Sequence, residues 1–170
     1  MTQEERDMLL YKPQNAHNAL SAAEEAEMNA YCEDYKRFLD ASKTERECVF
    51  SAIELAEKRG FVEYKRGMAL NPGDKVYYNN RGKAVMLSVI GSEPLENGMN
   101  IVGSHIDSPR LDIKQNPVYE AGGTTLLKTH YYGGIKKYQW TAIPLALHGT
   151  VVLKNGKTVD VAIGEGANDP

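Results

Sequence analysis

Long apolar runs, a cysteine framework and an excess of one charge are all missing from this 170-residue sequence. No stretch of about 18 apolar residues occurs, which excludes a membrane-spanning helix. The net charge is −3 with both signs interspersed, so nothing recommends a nucleic-acid or membrane partner. There are two cysteines, Cys32 and Cys48, without Cys-x-x-Cys spacing. That excludes a disulfide scaffold and a thiolate zinc ribbon, and reads as buried or half-buried thiols in a reducing compartment. The opening residues, Thr2-Gln3-Glu4-Glu5-Arg6-Asp7, are acidic and polar, the wrong chemistry for a secretory signal. A cytoplasmic protein is expected. Internal repeats and low-complexity segments are also lacking.

What is present suits a globular chain of one domain, or one and a fraction. Hydrophobic residues make up 42% and charged residues 25%, ordinary values for a chain that buries a core. Ser21-Ala22-Ala23-Glu24 has the capping-box pattern, in which the hydroxyl accepts from the third amide and the glutamate reaches back. It predicts a helix to about Leu39 with Met28, Tyr31, Cys32, Tyr35, Phe38 and Leu39 as a core-facing stripe. Thr44-Glu45-Arg46-Glu47 repeats the pattern and predicts a second helix carrying Cys48, Phe50, Ile53, Leu55 and Ala56, ended near Gly60.

The period then changes from helical to two. Strands are predicted at Lys75 to Asn79 and Lys83 to Ile90, joined by a turn at Asn80-Arg81-Gly82. A loop with Pro94 follows, then a short buried strand from Asn100 to His105. Helix, helix, strand, strand, strand suits the opening of an α/β sandwich with a mixed sheet. After Pro109 the pattern becomes all-β. Leu111 to Lys114 alternates briefly, and Leu126 to Tyr132 reads as a strand. Asn155-Gly156 between Leu145–Leu153 and Thr158–Ile163 is a hairpin signal that calls for positive φ at both central residues.

The chemistry concentrates at His105-Ile106-Asp107-Ser108-Pro109. Residues i and i+2 of an extended chain point to one side, so an imidazole and a carboxylate would stand together at a strand exit. A metal-bound histidine is commonly held this way, one ring nitrogen on the metal and a carboxylate behind the other. Pro109 turns the chain away. His-x-Asp also arises by chance, and a hydrogen-bonded structural pair is the alternative reading.

The surrounding words carry a resemblance. Gly103-Ser104-His105-Ile106-Asp107-Ser108-Pro109-Arg110-Leu111 resembles the first metal-site signature of the M18 aminopeptidases. Lys128 to Trp140, with Tyr132-Gly133-Gly134 at its centre, is similar to that family's Tyr-Gly-Gly segment. Leu70 to Tyr77, with Asn80 to Lys83 behind it, resembles the bacterial branch. The resemblance implies a metal-dependent aminopeptidase that releases N-terminal residues from peptides at a site of two divalent metals, with zinc as cofactor. It implies that His105 is a metal ligand and that Asp107 orients the site without being a primary ligand. It also implies a peptidase domain interrupted after this motif by a β-rich dimerisation domain, and assembly of dimers into a dodecamer. On that reading residues 1–110 open the peptidase domain and residues 111–170 begin the insert.

The family's remaining ligands, including a Glu-Glu pair that holds the general base, lie downstream of the first histidine. Here the adjacent glutamate pairs are Glu4-Glu5 and Glu24-Glu25, both upstream and both expected to be solvated. The chain therefore looks like the N-terminal part of an aminopeptidase, inactive alone. The rival from another class is a non-catalytic short homologue acting as an oligomerisation module. A different two-metal hydrolase, such as a deacetylase on a similar sandwich, is opposed by the Tyr-Gly-Gly block. His130 reads as an interface or strand histidine, His148 as a satisfied half-buried one, and His17 as a surface residue. Ser108 is expected to bond the local backbone. Asp112 falls in the next strand and is left outside the site. Gly133-Gly134 lacks the helix signals of a phosphate loop.

Overall fold

The computed structural model describes residues 2–11, 13–166 and 169. The chain divides into two units, Met1–Asp40 and Ala41–Pro170. In the first, helix α1 spans Gln3–Leu9. Thr2 Oγ1 accepts the Glu5 amide at 3.2 Å, and the Glu5 carboxylate accepts the Thr2 amide at 2.7 Å. This is a capping box that the sequence reading passed over as a terminus. After a short 3-10 turn at Ala16–Ala19 that leaves His17 exposed, helix α2 runs over Ala22–Asp40. Its predicted box is formed: the Ser21 amide donates to Glu24 at 2.8 Å, and the Glu24 amide donates back to Ser21 Oγ at 3.3 Å. The Ser21 amide, foremost, and the Ser21 hydroxyl, which donates to the same carboxylate at 2.7 Å, hold the Glu24 carboxyl below its ordinary range.

Of the stripe expected to face a core, Phe38 is half-buried and the rest is exposed. Met28, Tyr31, Tyr35 and Leu39 are exposed, and so is Cys32. No described residue of α1 or α2 is buried. An apolar stripe is buried only where another element covers it, and helical spacing does not supply that cover. Glu4, Glu5, Glu24 and Glu25 are exposed as expected.

The second unit begins with helix α3, Glu45–Glu57, opened by the Thr44–Glu47 box. Cys48, Val49 and Ala56 are its buried face. Phe50 and Leu55, placed in the stripe by the sequence reading, are exposed. The helix packs on strands β2, Lys75–Asn80, and β3, Ala84–Val89. Val76 and Tyr77 supply the buried residues of β2, and the Tyr77 hydroxyl donates to Glu57 at 2.7 Å. That bond to a carboxylate pushes the Tyr77 phenol up to about 12. Strand β1, Val62–Glu63, runs parallel to β2, and β3 runs antiparallel to it. The sheet is therefore mixed, ordered β1-β2-β3. Val49 is the largest fully buried side chain described. Val49→Ala is expected to cost about 2 kcal/mol, two methyl equivalents of burial plus a cavity. A urea melt followed by circular dichroism checks it, and an unchanged midpoint would show that this core does not carry the fold.

The predicted strand at Asn100 to His105 is absent. The segment is irregular, and Val102 is 100% exposed. A strand exists only by pairing, and among the described residues none pairs with it. After Pro109 strands predominate as expected, but a single-turn helix at Lys137–Trp140 interrupts the all-β pattern, and the strands differ in extent. Strand β4 covers Arg110–Ala121, longer than the brief stretch expected, and pairs with β5, Thr124–Tyr132. Its register shifts between Ile113 and Val118, around Asn116-Pro117. A bulge is where a strand accommodates a residue without an amide proton.

A single-turn helix α4 at Lys137–Trp140 leads to strands β6, Leu147–Val152, and β7, Thr158–Ile163. These pair as the predicted hairpin, but with a different turn. Gly156 has φ +82, whereas Arg81 is the one described non-glycine residue with positive φ. The Gly156 amide bonds the Leu153 carbonyl at 2.8 Å, so Lys154 and Asn155 form an ordinary turn and Gly156 makes a bulge after it. Asn155 Oδ1 instead accepts the Lys157 amide at 3.0 Å.

His148 ties this hairpin to α3. Its side chain is 12% exposed, and Nδ1 donates to Glu47 Oε1 at 2.8 Å. Glu165 Oε1 stands 3.2 Å from Nε2, off the direction of a hydrogen bond. The bond to Glu47 raises the His148 pKa against the effect of burial. Burial opposes the Glu47 charge, yet the hydrogen bonds from His148 and Thr44 hold its pKa below the usual value. The raised histidine stabilises fully below its unfolded value of 6.5 and loses that contribution as pH climbs through its folded value. The lowered glutamate stabilises fully above 4.5 and loses its part as pH falls through its folded value. The pair is therefore strongest between 4.5 and 6.5. His148→Gln is expected to flatten the loss of stability above that window. Urea midpoints across pH test this, and an unchanged profile would place the pH dependence elsewhere.

Candidate metal centre

Pro109, with no amide proton, ends the irregular segment, and the chain enters β4 at Arg110. Just before it, His105 Nδ1 lies 2.8 Å from the Asp107 carbonyl and 3.1 Å from Asp107 Oδ1. A carbonyl oxygen can only accept, so Nδ1 carries the proton and the free lone pair belongs to Nε2. The His105 side chain is 82% exposed and that of Asp107 29%. The two residues singled out from the sequence are thus in contact, although the strand expected to align them is missing. A tight local loop does the work of the extended backbone.

The neighbouring Tyr132 hydroxyl is the foremost reason the Asp107 carboxyl sits below its ordinary range. The carboxylate in turn raises the Tyr132 phenol. Arg110, directly opposite Tyr132 in the β4–β5 ladder, lies over the Tyr132 ring at 4.3 Å from its centre. Its guanidinium also reaches Asp112 at 2.7 Å and Glu45 at 3.0 Å. Sequence reasoning missed Glu45 and left Asp112 outside the site. Tyr132 and Arg110 were visible only as letters inside two separate motifs. The signal that joins them is strand register, which neither motif contains.

His130 stands on β5 opposite Asp112, exposed and stacked on Tyr131. Beside the motif, the start of α3, the start of β4 and β6 line a cleft of about 890 Å³ that includes Arg110, Trp140 and His148. Neither His105 nor Asp107 lines it. Among the described residues no group of three or more His, Cys, Asp or Glu could hold a metal ion. The available donor, an imidazole with Nδ1 engaged and Nε2 open, fits one position of a zinc site, which takes four ligands.

Residues 38–170 match the family described as aminopeptidase I zinc metalloprotease (M18). A probable M18 family aminopeptidase 1 of Clostridium acetobutylicum is 49% identical over 166 residues, covering 95% of this chain and 36% of the relative. The crystal structure of aminopeptidase I from Borrelia burgdorferi B31 superimposes with a TM-score of 0.86 at 46% identity, over 92% of this chain and 39% of that one. An M18-family aminopeptidase structure from Thermotoga maritima gives 0.82 at 38% identity, over 95% and 35%. The chain spans 36% of the length of the Clostridium relative, and the mixed α/β fold described above is the one shared with these structures. With its family matched across residues 38–170 and the same fold found in related aminopeptidases, the chain belongs to the M18 family of aminopeptidase I zinc metalloproteases.

Proposed function

We propose that these residues form part of a zinc-dependent aminopeptidase that removes N-terminal residues from peptides, with His105 holding one of two divalent metals through Nε2. The observation that carries this is the geometry of His105: Nδ1 is engaged by Asp107 at 2.8 and 3.1 Å, which leaves Nε2 for a metal. Asp107 keeps the ring in one tautomer and one orientation, and its own carboxylate stays ionised. Bound metal would supply Lewis-acid polarisation of the scissile carbonyl and a water of lowered pKa. The further ligands and the general base belong to the larger enzyme, because the described residues offer one corner of such a site. Residues 1–110 then open the peptidase domain. Residues 111–170 begin a β-rich part through which subunits pair, first as dimers and in the complete enzyme as a dodecamer. The proposed setting is the cytoplasm, with peptides as partners rather than nucleic acid or membrane.

The test compares the complete enzyme with this 170-residue chain, each assayed on aminoacyl substrates before and after chelation and zinc return. The complete enzyme is expected to lose turnover on chelation and regain it with zinc; indifference to chelation would overturn the metal assignment. The chain alone is expected to show no turnover above its own His105→Ala variant, and activity above that control would show that it carries a whole site. By calorimetry the chain alone should bind zinc weakly, since one imidazole and one supporting carboxylate fall short of four ligands. A micromolar site abolished by His105→Ala would mean that the ligand set had been misjudged.

A further inference from the structure

His148 is the one histidine among the described residues lining the cleft, and it has a carboxylate on each side. Nδ1 stands 2.8 Å from Glu47 Oε1 on α3, and Nε2 stands 3.2 Å from Glu165 Oε1, just past the end of β7. The side chain is 12% exposed, and Nε2 is closed to solvent without a hydrogen-bond partner. A neutral imidazole carries one proton. With that proton on Nδ1, a buried Nε2 lone pair faces the Glu165 carboxylate. With it on Nε2, two acceptors meet at the Glu47 contact. Only the imidazolium offers a proton to both carboxylates. The other charged groups around the cleft are Lys43, Glu45 and Arg46 near the start of α3, Lys83 before β3, and Arg110 and Asp112 on β4. Arg110 binds Glu45 and Asp112, and Asp160 on β7 accepts the Thr150 hydroxyl at 2.9 Å.

We infer that His148 is a proton-operated clasp: as an imidazolium it fastens the β6–β7 hairpin and the segment after it to α3, and as a neutral ring it lets the Glu165 side go. That side yields first because Nδ1 keeps its hydrogen bond to Glu47, whereas Nε2 has none to lose. Glu165 is also the more exposed and more screened of the two carboxylates. Its segment lies close against the chain entering β6, since a Cβ on Gly164 would stand 3.3 Å from the Ala146 Cα. Release therefore loosens the end of the hairpin and the cleft wall that Glu165 forms. Strand β4 is tied to α3 differently, by Arg110 and Glu45 at 3.0 Å. Arginine keeps its charge across the range in which histidine changes, so that tie holds. The raised His148 pKa agrees in sign: the clasp is closed below 6.5 and opens as pH climbs through the folded value. None of this depends on the metal role of His105, which does not line the cleft.

The experiment is amide hydrogen exchange of the 170-residue chain, which reads local opening. Rates are measured by mass spectrometry from about pH 5.5 to about pH 8.5, where histidine changes charge, and divided by the intrinsic chemical rate. Peptides covering β6, β7 and Glu165 are expected to exchange faster above the His148 midpoint. The rise should be about tenfold for each pH unit by which that midpoint exceeds that of an unclasped histidine. Peptides from β4 and β5 should show no such step. Glu165→Gln, whose amide can donate to a bare Nε2, should shrink the step and lower the His148 midpoint read by NMR. His148→Gln should remove the step. Glu165 is partly exposed, so its variant decides the matter if His148→Gln does not fold. A wild-type profile without a step, an equal step in β4 and β5, or a step unchanged in Glu165→Gln would overturn the inference.

Discussion

His105→Ala in the complete enzyme is expected to empty or loosen one metal position and to abolish most turnover. Asp107→Ala is expected to do less harm for a different reason. Nε2 of His105 is the proposed metal-binding atom, so its removal takes away the ligand itself. Asp107 acts behind the ring: its carbonyl and carboxylate hold Nδ1 at 2.8 and 3.1 Å. Alanine keeps the backbone carbonyl, so the tautomer still has an acceptor, but the carboxylate is gone. Losses of this kind run to roughly 10–100-fold in metal affinity or activity, and removal of the ligand should exceed them. Metal content measured beside turnover distinguishes the two. His105→Ala should lose metal and rate together, whereas Asp107→Ala should keep most of its metal at a reduced rate. Full activity in either variant would refute the roles given to these residues.

The isolated chain is expected to self-associate. The strands β4–β5 and β6–β7 form two separate two-stranded sheets, so each has two edges with open hydrogen-bonding groups. Val118, Tyr119, Leu127, Val151 and Val152 on these strands are exposed. A two-stranded hairpin is marginal in water, and an open edge with apolar neighbours recruits another strand. A two-fold dimer would satisfy like edges with like. Light scattering after size exclusion should find a dimer or a larger species at tens of micromolar. A clean monomer would mean that the edges are protected by their own twist and bulge, as at the register shift after Ile113.

These outcomes divide along what is local in the chain and what is not. The capping boxes at Ser21 and Thr44, the Asn155-Gly156 hairpin and the contact of His105 with Asp107 were all legible from sequence. Each is decided by groups a few residues apart, whose hydrogen bonds form whatever the rest of the chain does. Even there the backbone detail escaped, since Asn155 took an ordinary turn conformation and left the positive φ to Gly156. The same local chemistry was present and overlooked at Thr2–Glu5. Burial was not legible in the same way. The stripe on α2 and the apolar run at Ile101-Val102 have the right letters for a core, yet an apolar residue is buried only when another element covers it, and periodicity does not supply the cover. The cluster that follows the motif belongs to tertiary structure. Tyr132 meets Arg110 because β4 and β5 pair in one register, and Glu45 joins them through its ion pair with Arg110. The sequence by itself determined which imidazole and carboxylate face each other; only the packing of strands and helix decided what gathers around Arg110, because register and helix placement are not local properties of the chain.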